Sequence, residues 1–195
     1  MNIRDLVKFI QTVTTPTVDH PETYQGIYYY HPGAQTVLAT ADPSTSGRWY
    51  LVNPTTSSRT VRVKRLRFTC QHASVLATPT APRITLERIT FTGTASGAAI
   101  TPARRKTADS APVAKFVTTY SGMTVTNGPV VQAFLPAVAL TAVGGVSDAA
   151  EQLYDADVDE SIDLAAGEGV TIRQADDGTA NDTRTYVTDV VTAEI

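Results

Sequence analysis

The residues that most often carry catalysis are few and isolated in this sequence. His20, His31 and His72 are its three histidines, each beside turn-forming residues, and Cys70 is its single cysteine. Such histidines usually face solvent, and a metal site or a catalytic triad would require the fold to gather them. No GxSxG, HExxH, P-loop or paired CxxC motif occurs. The sequence therefore predicts a protein that is not an enzyme, with Cys70 as a small buried hydrophobic residue.

An acidic segment is the closest approach to a ligand-binding motif. Asp155-Ala-Asp157-Val-Asp159 is similar to the start of an EF-hand calcium loop, which then requires Gly at its sixth position and Glu at its twelfth. Glu160 and Ala166 stand there instead, so the EF-hand interpretation fails. A different cation site, the carboxylate pair of a glycosidase and a solvated loop over 155–163 remain as interpretations. We predict no cofactor and no metal site, and we expect Glu168 to be a turn residue.

Basic residues form two clusters, one at 62–67 and one at 104–106. In the first cluster, Arg62 and Lys64 alternate with Val61 and Val63, which places them on the outer face of one strand. Such clusters are typical of a solvated sheet face, a contact with an acidic protein, or a nucleic-acid surface. Nucleic acid is the least favoured, because the aromatic or helical recognition elements that it needs are missing. The residues predicted to contact a partner here are Arg62, Lys64, Arg104 and Arg105.

Charge is divided unevenly along the 195 residues, whose formal net charge is −3. Residues 48–115 hold 12 Lys and Arg against two acids, whereas residues 148–195 hold 13 Asp and Glu against two Arg. Complementary faces that meet in an oligomer have this asymmetry. No charged residue lies in 116–147, which favours a subunit contact. Its apolar part, 130–146, contains Pro136 and is shorter than the ~20 residues of a spanning helix, so we expect no membrane insertion.

The elements that position these residues are predicted to be strands. Hydrophobic residues make up 42% of the chain, and the 31 Thr residues favour a pleated surface. Roughly eight to ten short strands with turn-forming residues between them predict an all-β fold, an antiparallel β-sandwich or jelly roll. The predicted domains are an N-terminal arm, 1–23, and a β-sandwich body, 24–195.

Two of the predicted strands change their hydrophobic phase at mid-length. In 60–70 the apolar residues shift from Val61 and Val63 to Leu66 and Phe68, as a β-bulge near Lys64-Arg65 would produce. The strand 83–91 shows the same kind of shift. Two neighbouring strands that bend at mid-length indicate a curved sandwich.

The arm contains one amphipathic pattern. Apolar residues at helical spacing predict a helix that ends near Thr15, because Pro16 disfavours helical geometry in the residue before it. A helix of about 12 residues is marginal alone in water, so it must dock on its own body or on a neighbour, or fray. The predicted partner-binding residues of this helix are Ile3, Leu6, Val7, Ile10 and Val13.

Two segments resemble known proteins. The run GRWYLVNPTTSSRTVRVKRLRFT, residues 47–69, is similar to a pattern in tailed-bacteriophage virion proteins, in which an Asn-Pro-Ser/Thr loop precedes a strand alternating Val with Arg or Lys. The run LAAGEGVTIRQ, residues 164–174, resembles the Gly-Glu-Gly entry into a late strand of the same proteins. The leading arm and the Thr-, Ala- and Gly-rich composition resemble phage head decoration, or cement, proteins.

The resemblance implies a jelly-roll subunit, commonly a homotrimer, on the outer surface of the capsid. There it would bridge major capsid protein subunits against internal DNA pressure. The absence of catalytic motifs fits that role, and many copies would multiply weak contacts through avidity. The alternatives are a tail or neck component, or a jelly-roll module that binds a glycan or a cation.

Overall fold

The computed structural model describes residues 24–38, 49–72, 83–118, 122–134, 152–155, 161–175 and 183–195. Those residues form thirteen strands in two antiparallel sheets and no helix, which confirms the predicted all-β sandwich. The predicted arm, 1–23, and its helix lie outside the described residues.

The first sheet, sheet A, has seven strands arranged around the C-terminal strand. Its path runs through β10 (Gln152–Asp155), β4 (Val61–His72), β13 (Thr183–Glu194), β1 (Gly26–Tyr30) and β7 (Ala103–Arg104). Two further strands lie off this path: β11 (Ile162–Leu164) pairs with β4, and β2 (Ala34–Leu38) pairs with β13. The strand β13 alternates between the interior and the outer face, and Thr188, Val190, Thr192 and Glu194 are buried.

The second sheet, sheet B, has six strands. In spatial order they are β6 (Ala99–Ile100), β8 (Lys115–Val117), β3 (Tyr50–Val52), β12 (Glu168–Ala175), β5 (Arg83–Gly93) and β9 (Met123–Phe134). The short strands β6 and β8 form one edge, and the long strand β9 forms the other.

The order of pairing defines the connectivity. Among the described strands, the first pairs with the last, β1 with β13, and the next pairs lie inside that one: β3 with β12, β4 with β10 and β11, and β5 with β9. These strands are therefore paired like those of one long antiparallel hairpin folded into two sheets, which is the connectivity of a jelly roll.

The core between the sheets contains a cluster of three aromatic rings. The ring centroid of Phe116 lies 4.9 Å from that of Trp49 and 5.9 Å from that of Tyr30. The polar atoms of these rings are satisfied, because Trp49 Nε1 donates to Thr188 Oγ1 at 3.0 Å and the Tyr30 hydroxyl donates to the Ala114 carbonyl at 3.0 Å. Burial of each such side chain stabilises the fold by about 1.5–3 kcal/mol.

The predicted bulge in β4 is confirmed. Val191 of β13 lies opposite Arg65, and the next residue, Thr192, lies opposite Val63, so Lys64 is the extra residue. On the other edge of β4, residues 61–63 pair with β11 and residues 65–68 pair with β10. The bulge therefore marks the point where one neighbouring strand replaces another.

The predicted bend in β5 has a different cause. The pairing of β5 with β12 is continuous, and the two extra residues lie in the edge strand β9, around Gly128, Pro129 and Val131. The hydrophobic phase along β5 changes because this strand buries residues on both of its faces. Ile84 and Leu86 join the core between the sheets, whereas the C-terminal half of β5 contributes to a second cluster on the outer face of sheet B: Tyr50, Val52, Ile89, Phe91, Val117 and Met123.

Candidate interaction surface

The two segments that carry the sequence resemblance meet at one corner of the sandwich. The buried Asn53 side chain donates to the carbonyl of Arg59 at 2.8 Å and to that of Leu164 at 2.9 Å. The Asn53 N–H donates to the carbonyl of Glu168 at 2.9 Å, and the Gly167 N–H donates to the carbonyl of Asn53 at 2.9 Å. The Asn-Pro loop and the Gly-Glu-Gly turn are therefore one hydrogen-bonded unit.

The glycines of that turn are required by its geometry. Gly167 has φ of +83°, in the left-handed region that favours glycine. A Cβ at Gly169 would lie 2.6 Å from the Leu51 carbonyl oxygen, so the two backbones approach too closely for a side chain. Glu168 closes the turn, as predicted, since its carboxylate accepts the Ala165 N–H at 2.8 Å and pairs with Arg88 at 3.2 Å.

The outer face of sheet A carries Arg62 and Lys64, as the alternation with buried Val61 and Val63 predicts. Arg62 is committed to a neighbour on β11: its Nε and Nη2 donate to the two carboxylate oxygens of Asp163 at 2.8 and 2.9 Å. This two-point hydrogen bond lowers the pKa of Asp163 and raises that of Arg62.

Tyr24 covers the same cations. Its hydroxyl accepts hydrogen bonds from Arg62 Nη1 at 3.4 Å and from Lys64 Nζ at 3.3 Å. The ammonium of Lys64 also lies 4.9 Å from the centroid of the Tyr24 ring, within range of a cation–π interaction. Because Tyr24 precedes β1, these contacts fix the position at which the chain enters sheet A.

Acidic strands flank the basic strand β4. Arg62 lies opposite Asp163 of β11, Arg65 opposite Asp155 of β10, and Arg67 opposite Asp189 of β13. Opposite charges directly across two strands stabilise the sheet. The uneven charge along the chain is thus explained in part by pairing within the molecule, because the acidic C-terminal half lies beside the basic central strand.

The second basic cluster lies three strands away, at the β7 edge of sheet A. Arg104, Arg105 and Lys106 are exposed, and they belong to the segment 103–114, here called the basic loop. The Asp109 carboxylate accepts the N–H groups of Lys106 at 3.1 Å and Ile27 at 3.4 Å, which fixes the turn. The structure thus separates the two predicted basic clusters instead of joining them.

A buried acid anchors the C-terminal part of the basic loop. Glu194 is fully buried, and its Oε1 accepts the N–H groups of Val113 at 2.7 Å and Ala114 at 3.1 Å. Its Oε2 pairs with Arg59 Nη1 at 3.0 Å. The negative charge of Glu194 adds to the effect of burial in raising the pKa of Tyr30. Residues 113 and 114 are therefore held to strand β13.

Sequence reasoning named neither Glu194 nor Tyr24. The alternation of β13 contains the signal for Glu194, because Val190, Thr192 and Glu194 share one phase. A charged residue in the buried phase of a strand needs a partner. Tyr24 carries no such signal, since its contacts depend on the fold.

The remaining sequence candidates do not form a site within the described residues. His31 is exposed, and its Nδ1 lies 2.7 Å from Asp189 Oδ1. His20, the helix residues 3–13 and most of the acidic segment lie outside the described residues, and the side chains of Cys70 and His72 are not described. In the described ranges, no group of three potential metal ligands occurs.

The described part of the uncharged region, 116–118 and 122–134, contains the end of β8 and the whole edge strand β9. Val130 and Val131 are among the exposed large hydrophobic residues there, at 47% and 38%. The extra residues and Pro129 make this edge irregular, which disfavours pairing with a further strand.

Within the described ranges, no helix is long and apolar enough to cross a membrane. Comparisons with protein-family models, curated proteins and solved structures find no match to this chain.

Proposed function

We propose that this chain is a non-enzymatic structural protein of a phage virion, which decorates the outer surface of the capsid and stabilises it by bridging major capsid protein subunits. The observation that supports it most is the corner at Asn53 and Gly167. The two segments that resemble virion proteins are distant in sequence and form one structural unit there. The jelly-roll connectivity is the fold that the resemblance implies.

The distribution of polar groups fits a protein that holds its neighbours and performs no chemistry. Arg62, Lys64, Glu194 and Asn53 are engaged in contacts within the body. Groups that hold each other in this way stiffen the body. A stiff body loses little conformational entropy when it binds, so weak contacts contribute more of their energy to affinity.

We propose that the arm and the basic loop contact the capsid. The arm contributes Ile3, Leu6, Val7, Ile10 and Val13, which would order on a neighbouring subunit. The basic loop contributes Arg104 and Arg105. Arg62 and Lys64 have a smaller part in this proposal than in the sequence prediction, because Asp163 and Tyr24 engage them. A homotrimer would multiply each contact three times.

Co-sedimentation with purified capsids, together with the solution mass, tests the proposal. We expect an oligomer that sediments with capsids, and we expect deletion of residues 1–15 to leave the body folded but to weaken attachment. The apolar-face variant Leu6→Ser/Ile10→Ser should weaken attachment as the deletion does, whereas the matched polar-face variant Lys8→Ser/Gln11→Ser should not. A monomer that does not bind capsids would refute the proposal, and immunogold labelling of the tail would assign the protein there instead.

A further inference from the structure

We propose that Arg104, Arg105 and Lys106 form a preformed docking surface for carboxylate groups on another protein, and that buried Glu194 is the positioning residue that holds the loop beneath it. This inference deepens the proposed function, on which it rests, by naming the chemistry of one partner contact. It depends on three features of the loop: its attachment, its uncompensated charge and its anchor.

The basic loop is attached to the body along its whole length. The Arg105 N–H donates to the Ile27 carbonyl at 2.9 Å, and the Tyr28 hydroxyl donates to the Ser110 carbonyl at 2.8 Å. Arg59 Nη1 donates to the Ala111 carbonyl at 3.1 Å, and the Tyr30 hydroxyl reaches the Ala114 carbonyl. A loop held in this way is ordered before a partner arrives, so binding costs little further entropy.

The three cations at its tip keep their charge available. The Asp109 carboxylate is directed at backbone N–H groups, and the Arg104 guanidinium donates to the Asp109 carbonyl oxygen, which is neutral. Among the described residues, none forms an ion pair with the side chains of Arg105 and Lys106. The cations of β4 differ, because acids lie opposite them across the sheet.

Glu194 joins this loop to the interior. One carboxylate oxygen holds the N–H groups of Val113 and Ala114, and the other holds Arg59, which itself donates to Ala111. A buried carboxylate is costly unless it is paired and hydrogen-bonded, and here both conditions are met by groups that position the loop. Loss of this charge should therefore loosen residues 111–114 first.

The chemistry favours carboxylates of a protein over nucleic acid. The exposed cations of this loop are three consecutive residues, whereas nucleic acid needs an extended basic surface that follows its phosphate backbone. Three cations on one turn match a few carboxylates at short range, since Arg presents paired donors to the two carboxylate oxygens.

Fluorescence anisotropy with a labelled decaglutamate peptide tests the surface without any capsid. We expect Arg105→Ala/Lys106→Ala to weaken binding about 5-fold or more at low salt. The matched control Arg65→Ala/Arg67→Ala removes the same charge from β4, and it should change binding by less than about 2-fold. Equal losses in the two variants, or tighter binding to a short DNA duplex than to the peptide, would overturn the inference.

Glu194→Gln separates positioning from simple electrostatics. The variant is one charge more positive, so long-range attraction alone predicts tighter binding of decaglutamate. A loosened loop predicts weaker binding, by about 2-fold, with faster amide exchange at 111–114. Unchanged or tighter binding would refute the role of Glu194. If the protein binds decaglutamate as expected but does not sediment with capsids, the proposed function is refuted and the docking surface is retained.

Discussion

The two basic regions of this protein look alike in sequence and differ in structure. The cations of β4 lie on a strand whose register partners on neighbouring strands include Asp163, Asp155 and Asp189. The cations of the basic loop lie at the sheet edge, and the acid nearest in sequence, Asp109, is directed at backbone N–H groups. A run of basic residues therefore indicates a binding surface only after the residues across the sheet are known.

The comparison between the two basic regions is tested most strongly at Glu194, the acid beneath the basic loop. Glu194→Ala leaves the N–H groups of Val113 and Ala114 without acceptors and Arg59 without its acid, in a fully buried position. We expect the free energy of unfolding to fall by about 3–5 kcal/mol, as measured by chemical denaturation. A loss below about 1 kcal/mol would mean that the loop does not depend on this acid.

A smaller loss of stability is expected when Asp163, the acid beside β4, is replaced. Asp163→Asn should cost about 1 kcal/mol at neutral pH, because the Asp163 carboxylate is 43% exposed and solvent screens its pairing with Arg62. The folded protein lowers the pKa of Asp163, so the stabilisation is complete above the unfolded pKa of about 4 and is lost as pH falls through the lower folded value.

Denaturation at a series of pH values from neutral into the acidic range measures this pH dependence. The difference between the wild type and Asp163→Asn should shrink towards zero as the carboxylate is protonated. A difference that stays constant with pH would show that shape, and not charge, connects β4 to β11.

Tyr24 provides a still smaller test of the β4 cations. Tyr24→Phe keeps the ring near Lys64 and removes the hydroxyl that accepts hydrogen bonds from both cations. Tyr24→Ala removes the ring as well, and we expect it to lower the melting temperature more than Tyr24→Phe, with a total cost of about 0.5–1 kcal/mol. Equal effects would assign the whole contribution to the hydroxyl.

The smallest effect on stability is expected where the proposed effect on binding is largest. Arg105→Ala/Lys106→Ala should change the free energy of unfolding by less than about 0.5 kcal/mol, because both residues are exposed. Thermal denaturation measures this change. A large loss of stability would show that the body uses these cations after all, and the contrast with β4 would disappear.

The fold was predictable from the sequence because its strongest signals are local. Alternation placed Val61 and Val63 inside, with Arg62 outside, and the phase change located the bulge near Lys64-Arg65, where the register with β13 assigns it to Lys64. The strands that were missed, such as β10 and β11, are short and acidic, and they form only because β4 supplies their partner. Single-strand patterns cannot show such pairing, because the partner lies far along the chain.

The candidate surface was only partly predictable, for the same reason. The sequence identified Arg62 and Arg104 as similar residues, but the register of β4 with β11 places Asp163 opposite Arg62. The phase change predicted a bulge within β5, but the extra residues lie in β9, because an apolar phase change also arises when a strand buries both faces. The helix residues of the arm remain a prediction, since they lie outside the described residues.

The central position of β13 in sheet A has a consequence for biosynthesis. This strand, near residue 195, pairs with β4, β1 and β2, which precede it by more than a hundred residues. Closure of such distant pairs is slow, and a nascent chain lacks β13 until more than a hundred residues after β4 have been synthesised. Before then the apolar faces of β1 and β4 have no strand between them, so we expect ribosome-bound chains to depend on chaperones until β13 emerges.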